Sequence, residues 1–89
     1  MKVIVELHGA TKDLSKKNFL EINLEKNSSI KDLKFQLIKF IEKNFKGNEN
    51  FKKLIQSSAF CSENDEIISE NFKINQSQIV GIIPPIGGG

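Results

Sequence analysis

At 89 residues the chain is about one domain long, which argues against a two-domain enzyme with a cleft between its domains. Hydrophobic residues make up 38% and charged residues 27%, as in a folded globular domain, and the 13 basic residues, all Lys, exceed the 11 acidic ones by only two. This balance and the absence of Arg argue against a nucleic-acid partner. The single Cys excludes an internal disulfide, and with only one Cys and one His the sequence gives no indication of a metal site.

Two strands are predicted near the N-terminus. Apolar side chains alternate with the others from residue 2 to residue 8, with Val3, Val5 and Leu7 on one face, and the alternation returns at residues 20–25. The polar residues 9–18 connect them. The pattern predicts an N-terminal hairpin whose connection is long for a tight turn.

A long helix follows. Ser28 and Ser29 offer a hydroxyl N-cap, and with Ser29 as the cap Asp32 occupies the third helical position. Apolar residues then recur at steps of three and four, which predicts one buried stripe. The stripe comprises Ile30, Leu33, Leu37, Ile41 and Phe45, and it is widened by Phe35, Ile38 and Phe40. Gly47 is suited to a left-handed residue that ends the helix.

The sequence of the second half of the chain predicts shorter helices and strands. They are about one more helical turn at 51–55, a strand at 59–61, a candidate strand at 67–68 in a polar stretch, and a turn at 75–78. Residues 79–83 are apolar towards both faces, which predicts a buried central strand, and Pro84-Pro85 ends it.

This order predicts an α+β domain of the β-grasp, ubiquitin-like class. One main helix crosses one face of a mixed sheet, and the first and last strands pair in parallel at its centre. The main alternative is a ferredoxin-type sandwich, which needs a second helix longer than residues 49–56 supply. We place the domain at residues 1–83 and a flexible, extended tail at residues 84–89.

The tail carries the functional signal. Both Pro residues and half of the six Gly residues lie in the last six positions, and no charged side chain follows Lys73. Pro84-Pro85 stiffens the exit, and residues without a Cβ can enter a narrow channel, so the sequence suits delivery of the terminal carboxylate into another protein's active site. A carboxylate is a poor electrophile, so chemistry on it requires activation, most simply by ATP-dependent adenylation. On composition alone, a Gly-rich end equally fits an unstructured terminus.

The last eight residues resemble the end of the small subunit of molybdopterin synthase, in the ubiquitin-like sulfur carrier family. That family ends in a hydrophobic strand, Pro-Pro, an aliphatic residue, a small residue and Gly-Gly, and Ile86, Gly87 and Gly88-Gly89 take the last three places without a gap. Two features depart from the pattern. Residues 75–78 replace an Asp-Gly-Asp-like turn, and additional polar residues lie at 44–58 and 62–71.

The resemblance implies a sulfur carrier in molybdenum cofactor biosynthesis, without a bound cofactor or a catalytic site of its own. An E1-like adenylyltransferase would use ATP to adenylate the carboxylate of Gly89, which would become a thiocarboxylate, and Gly88 would give access to it. The tail would then enter the large synthase subunit, in an assembly expected to be a heterotetramer, and donate sulfur to cyclic pyranopterin monophosphate. Two carriers are consumed per dithiolene in that family.

The residues before the terminal glycines are predicted to bind these partners. The predicted partner-binding residues are Ile82, Ile83, Pro84, Pro85, Ile86 and Gly87. A domain this small cannot bury all three isoleucines, and exposed contiguous apolar surface usually marks an interface. The alternative interpretation is that Ile82 and Ile83 belong to the core and only Ile86 is free.

Other candidate sites are better explained structurally. Cys61 follows apolar neighbours and is predicted to be a small core residue, and His8 is predicted to lie at the surface. The acidic run at residues 63–66 lacks the spacing of a calcium loop and is predicted to be a solvated loop.

Three functions other than molybdopterin synthesis remain open at the sequence level. The chain could carry sulfur for thiamine or tRNA thiolation, it could be a modifier joined to Lys by isopeptide bonds, or it could be an inert binding module. No apolar stretch approaches the roughly 20 residues of a membrane span, and no signal peptide is visible, so we expect a cytoplasmic protein without a membrane partner.

Overall fold

The computed structural model describes residues 1–85. It contains β1 (Lys2–Leu7), a 3-10 helix (Gly9–Leu14), β2 (Phe19–Asn23), β3 (Ser28–Ser29), α1 (Ile30–Asn44), α2 (Glu49–Ser57), β4 (Ala59–Cys61), β5 (Ile67–Ile68), β6 (Lys73–Ile74) and β7 (Gln78–Ile83). The four last residues, 86–89, lie outside the described part, and so does every prediction that concerns them.

The main sheet has five strands in the order β2-β1-β7-β4-β5. β1 pairs with β7 in parallel, with Val5 opposite Val80, and with β2 in the predicted antiparallel hairpin. β4 pairs antiparallel with both β7 and β5, while β3 and β6 form a separate two-stranded sheet. The parallel pair at the centre and the helix packed on one face are the predicted β-grasp arrangement, which is confirmed.

The start of α1 is built as predicted. The backbone N–H of Asp32 donates to Ser29 Oγ at 3.2 Å, and the backbone N–H of Ser29 donates to Asp32 Oδ2 at 2.9 Å, a reciprocal capping box. These donors, first the backbone and then the hydroxyl of Ser29, hold the pKa of the Asp32 carboxyl below its ordinary range. The N–H groups of Ile30 and Lys31, the first two residues of the helix, donate to the carbonyls of Phe72 and Glu70 in the following half of the chain, so tertiary contacts complete the cap.

The predicted helical stripe is confirmed except at one residue. Ile30, Leu33, Leu37 and Ile41 are fully buried, and the flanking Ile38 and Phe40 are half-buried. Phe45, the last residue of the predicted stripe, follows the end of α1 and is half-buried. Phe35 was expected to widen the stripe, but it is 57% exposed. It lies on the opposite side of the helix from Leu33, where Lys39 Nζ covers its ring at 4.8 Å from the centroid.

The second helix is longer than predicted. Instead of about one turn, α2 has nine residues and is capped by Asn48, whose side-chain oxygen accepts from the N–H of Phe51 at 3.1 Å. The turn before it has two left-handed residues, Lys46 and Gly47, so the predicted left-handed Gly47 is confirmed with a φ of 70°. Phe51 packs edge-on against Phe45, with ring centroids 5.0 Å apart, and this contact holds α2 against the end of α1.

The connection between β1 and β2 also contains more structure than a polar turn. Its first half is a 3-10 helix whose Thr11 and Leu14 are buried. The backbone N–H of His8 donates to Thr11 Oγ1 at 2.9 Å, and the same hydroxyl donates to the carbonyl of His8 at 2.6 Å. These bonds lock the turn onto the end of β1, with Leu14 in the core.

Candidate functional site

The candidate site begins where β7 ends. β7 is hydrogen-bonded on both sides, to β1 and to β4, and its last residue, Ile83, lies opposite Ala59. Pro84 and Pro85 follow outside the strand, as predicted, because neither can donate a backbone hydrogen bond to a neighbouring strand. The position at which the chain leaves the sheet is therefore set by the middle strand of the fold. Predictions on Ile86, Gly87, Gly88 and Gly89 lie outside the described residues.

The two isoleucines before the prolines differ in burial. Ile82 is 0% exposed and points into the core beside Phe60, its partner on β4, so its side chain is not accessible for the partner contact predicted for it. Ile83 points to the other face and is 37% exposed. Its predicted role in docking stays a prediction, as do those of the half-buried Pro84 and the exposed Pro85.

The first residue of the 3-10 helix lies directly against this exit. Gly9 has a φ of +55°, and a Cβ at this position would lie 3.1 Å from Cγ and 3.9 Å from Cδ of Pro84. A real side chain at residue 9 would therefore press on the Pro84 ring. This contact was not predicted from the sequence. The available signal was a glycine immediately after the end of β1, but the sequence does not show which residue it faces.

The face of the sheet that the two helices leave open contains several apolar residues. In the register, Ile4 lies opposite Ile79, and Glu6, Gly81 and Cys61 form the next row towards the exit. Ile4, Phe19 and Ile79 are half-buried on this face, and Ile67 at its far edge is 68% exposed. Polar side chains border them, for example Lys17, whose Nζ lies 5.6 Å from the centroid of the Phe19 ring. The exposed Ile83 lies on the same face, two residues after Gly81.

Cys61 is a buried residue of this face, in surroundings that disfavour its thiolate. Burial is the main cause that raises the pKa of its thiol, and the nearby carboxylates of Asp65 and Glu6 add to the effect, against a lowering contribution from the Gly81 backbone. A raised pKa disfavours the reactive thiolate. The Sγ atom fills the space over Gly81, where a Cβ would approach it to 2.7 Å. The predicted core role of Cys61 and the surface position of His8 are confirmed.

The described residues contain no constellation of His, Cys, Asp and Glu side chains that could hold a metal ion. The acidic residues 63–66 form the exposed turn before β5, where Ser62 Oγ accepts from the N–H groups of Asn64 and Glu66. None of the helices in residues 1–85 is both long and apolar enough to cross a bilayer.

No protein-family model matches the sequence, and no curated protein sequence matches it. Solved structures, however, share its fold. A protein described as molybdopterin converting factor, subunit 1, from Pyrococcus furiosus matches with a TM-score of 0.67 and 20% identity, over 96% of this chain and 98% of that one. SAMP1 from Haloferax volcanii matches with a TM-score of 0.68 and 13% identity over all of both chains.

A chain in the complex of subunits 1 and 2 of molybdopterin-converting factor from Helicobacter pylori also matches, with a TM-score of 0.54 and 20% identity over all of both chains. At identities this low, the likeness establishes the fold and not the activity. It agrees with the β-grasp arrangement found in the sheet order and in the single long helix.

Proposed function

We propose that the protein is a sulfur carrier of molybdenum cofactor biosynthesis that acts as the small subunit of a molybdopterin synthase. Its reactive group is the C-terminal carboxylate of Gly89, and Gly88 gives access to it. The observation that carries the proposal is a buried central strand that ends at Pro84-Pro85 and leads into Ile-Gly-Gly-Gly. Two of the similar structures, from P. furiosus and H. pylori, are described as molybdopterin converting factor, which supports this pathway.

The proposed chemistry needs only the terminus of this chain. A carboxylate oxygen of Gly89 attacks the α-phosphorus of ATP in an E1-like enzyme, pyrophosphate leaves, and an acyl adenylate forms. A sulfur nucleophile at the oxidation level of sulfide then displaces AMP, which gives the thiocarboxylate. In the large synthase subunit, the thiocarboxylate sulfur would attack a carbon of cyclic pyranopterin monophosphate and displace an oxygen substituent. Water would then hydrolyse the resulting thioester, which leaves the sulfur on the pterin and restores the Gly89 carboxylate for another cycle.

The described residues fit this division of labour. The single thiol, Cys61, is buried, and its raised pKa disfavours the thiolate, which supports the terminus as the sulfur-bearing group. The open sheet face and Ile83 offer apolar surface that runs up to the exit of the tail. We propose that the large subunit and the activating enzyme dock there in turn.

Mass spectrometry of the protein from its own cells tests the proposal. The chain is tagged at the N-terminus, which leaves Gly89 free, and bound species are compared before and after denaturation. We expect a larger partner that denaturant releases, and a fraction of the carrier whose mass is increased by the difference between sulfur and oxygen. A chain without Gly88-Gly89 should lose the mass increase, and its melting temperature is measured beside that of the full chain as the control for folding.

A matched variant separates the presence of the carboxylate from access to it. Gly88→Ala/Gly89→Ala keeps the length and the terminal carboxylate but adds two Cβ atoms, so we expect adenylation to fall without loss of the fold. A ladder of Lys-linked adducts that survives denaturation would instead identify a protein modifier. Sulfur on the terminus without the large subunit would point to thiamine or tRNA thiolation, and a terminus that is never modified would refute the carrier function.

A further inference from the structure

We propose that Gly9 is a positioning residue for the C-terminal tail, because it lets the 3-10 helix seat Pro84 at the exit of β7. The proposal rests on the proposed function only for its consequence in activation. Its structural part, that residue 9 sets where the chain leaves the fold, stands on the described contacts alone. Gly9 is not one of the site residues predicted from the sequence. Those residues all lie at the C-terminal end of the chain, whereas Gly9 lies near the N-terminus.

Gly9 is the first residue of a 3-10 helix that hydrogen bonds and a buried side chain hold in place. The buried Thr11 bonds to both the N–H and the carbonyl of His8, and Leu14 anchors the other end of the 3-10 helix in the core. On the other side of the contact, β7 is fixed by its two neighbouring strands up to Ile83. Pro84 is thus the first residue beyond the sheet, and it is half-buried where the following Pro85 is exposed.

The contact between Gly9 and Pro84 is tight. A Cβ on residue 9 would approach Pro84 Cγ to 3.1 Å, which is closer than most such contacts in proteins. The proline ring cannot rotate away as a flexible side chain can, since its ring closes on the backbone nitrogen, so only its pucker can change. An added methyl group therefore requires a shift of a few tenths of an ångström at the Pro84 ring, at its backbone or in the 3-10 helix, and the helix is held by Thr11 and Leu14.

A change in the direction in which the chain leaves β7 would change the position of the proposed reactive group, which lies at the end of a short tail. Six residues reach at most roughly 20 Å, so a change of direction at the first of them moves the carboxylate relative to a partner docked on the globular domain. Misplacement of a reacting group by about 1 Å can reduce a rate by about 100-fold. Gly9 is therefore expected to affect the rate of activation more than the affinity for the activating enzyme.

Gly9→Ala is compared with Gly47→Ala. Both glycines are left-handed, with φ values of +55° and +70°, so both substitutions introduce backbone strain of the same kind. A Cβ at Gly47, however, meets only the flexible end of Lys52, at 3.6 Å or more, in the turn between α1 and α2. Gly47→Ala therefore controls for strain and lost stability without touching Pro84.

The direction of the tail is measured first, without any partner. A nitroxide is attached to Ile86→Cys in a Cys61→Ala background, and the broadening of amide signals is mapped over residues 1–85 by NMR. We expect Gly9→Ala to change the map and Gly47→Ala to leave it unchanged. Pro84→Ala, which removes the ring without left-handed strain, should also change it, and adding Gly9→Ala to Pro84→Ala should then have no further effect.

The consequence is measured as ATP–pyrophosphate exchange by the E1-like enzyme of the same cells, with the unlabelled chains. We expect Gly9→Ala to lower kcat about tenfold and to leave KM within about twofold, and Gly47→Ala to change neither. If the wild-type chain supports no exchange, the proposed function fails while the NMR map still decides the role of Gly9. An unchanged map for Gly9→Ala, or an equal change for Gly47→Ala, would overturn the proposal, and if Gly9→Ala does not fold, an unchanged map for Pro84→Ala would do so.

Discussion

Gly81→Ala is expected to destabilise the protein through a single atom. Gly81 is buried in β7, between Glu6 on β1 and Cys61 on β4. A Cβ there would lie 2.7 Å from Cys61 Sγ, a distance at which one of the two groups must move, and 3.4 Å from Nε2 of the exposed His8, which is free to move. Cys61 is only 5% exposed and has a short side chain, so the sulfur meets other atoms when it is displaced.

The expected magnitude combines two opposing effects. Overpacking of a well-packed site costs about 1–3 kcal/mol, while replacing an extended glycine by alanine gains about 0.4–1 kcal/mol from the lower entropy of the unfolded chain. Gly81→Ala should therefore lose about 1–2 kcal/mol of unfolding free energy. For a domain of this size each kcal/mol lowers Tm by about 4–8 °C, so the loss is easily measured by thermal or urea denaturation.

The same substitution should change sign once the sulfur is removed. In a Cys61→Ala background the atom at 2.7 Å is absent, so only the entropic gain remains and Gly81→Ala should stabilise the chain by about 0.5 kcal/mol. The four proteins form a double-mutant cycle that isolates the contact, because Cys61→Ala alone reports the cost of losing the thiol. Equal destabilisation by Gly81→Ala in both backgrounds would refute the steric reasoning.

Three further expectations concern α1. Ser29→Ala removes the N-cap and should cost about 1 kcal/mol of unfolding free energy in urea, whereas Ser29→Thr, which keeps the oxygen, should cost less. Lys34 Nζ contacts Glu70 Oε1 at 2.6 Å and lowers the pKa of that carboxyl, so Lys34→Met should raise the pKa of Glu70 towards its ordinary value in an NMR titration. Because the folded-state pKa is the lower one, the pair stabilises the wild type above the unfolded-state pKa and loses this effect as pH falls through the folded-state value. Leu37→Ala should cost about 2–5 kcal/mol, whereas Phe35→Ala should change stability by less than about 1 kcal/mol, because Leu37 is fully buried and Phe35 is 57% exposed.

The predictable part of the fold is the part with strong periodicity. β1 alternates over its whole length, β7 is apolar on both faces, and α1 has a buried stripe between a capping box and a left-handed turn. These three elements are sufficient to define the centre of a β-grasp domain. Phe35 was misassigned because its size and hydrophobicity were weighed above its position, which is off the stripe by more than a third of a helical turn.

The less periodic elements depend on contacts that the sequence does not display. The 3-10 helix after β1 reads as a polar loop, and its structure comes from Thr11, whose hydroxyl replaces backbone partners at His8, and from Leu14 in the core. α2 was underestimated because a polar segment between 44 and 58 contains few apolar residues, and its position is fixed by Phe45 and Phe51 across the turn.

The candidate site also has features that the sequence predicts and features that only the structure shows. Pro84 and Pro85 could be placed at the end of β7 from sequence because proline cannot continue a sheet ladder. The contact of Pro84 with Gly9 could not, since it joins opposite ends of the chain and involves a residue without a side chain. The difference between Ile82 and Ile83 follows from register, because adjacent residues of a strand point to opposite faces, and only the structure shows which face is covered.

The central position of β7 has a mechanical consequence for the proposed function. A partner that drew the tail into its active site would pull on β7, and β7 is held by hydrogen bonds to β1 on one side and to β4 on the other. An edge strand would have only one such ladder and could be peeled away. Val80 and Ile82 add fully buried side chains, so the strand also resists slipping along its axis. The hydrogen-bonded part of the sheet thus ends at Ile83, and a pull on the residues that follow would be resisted by two strand ladders and by buried side chains.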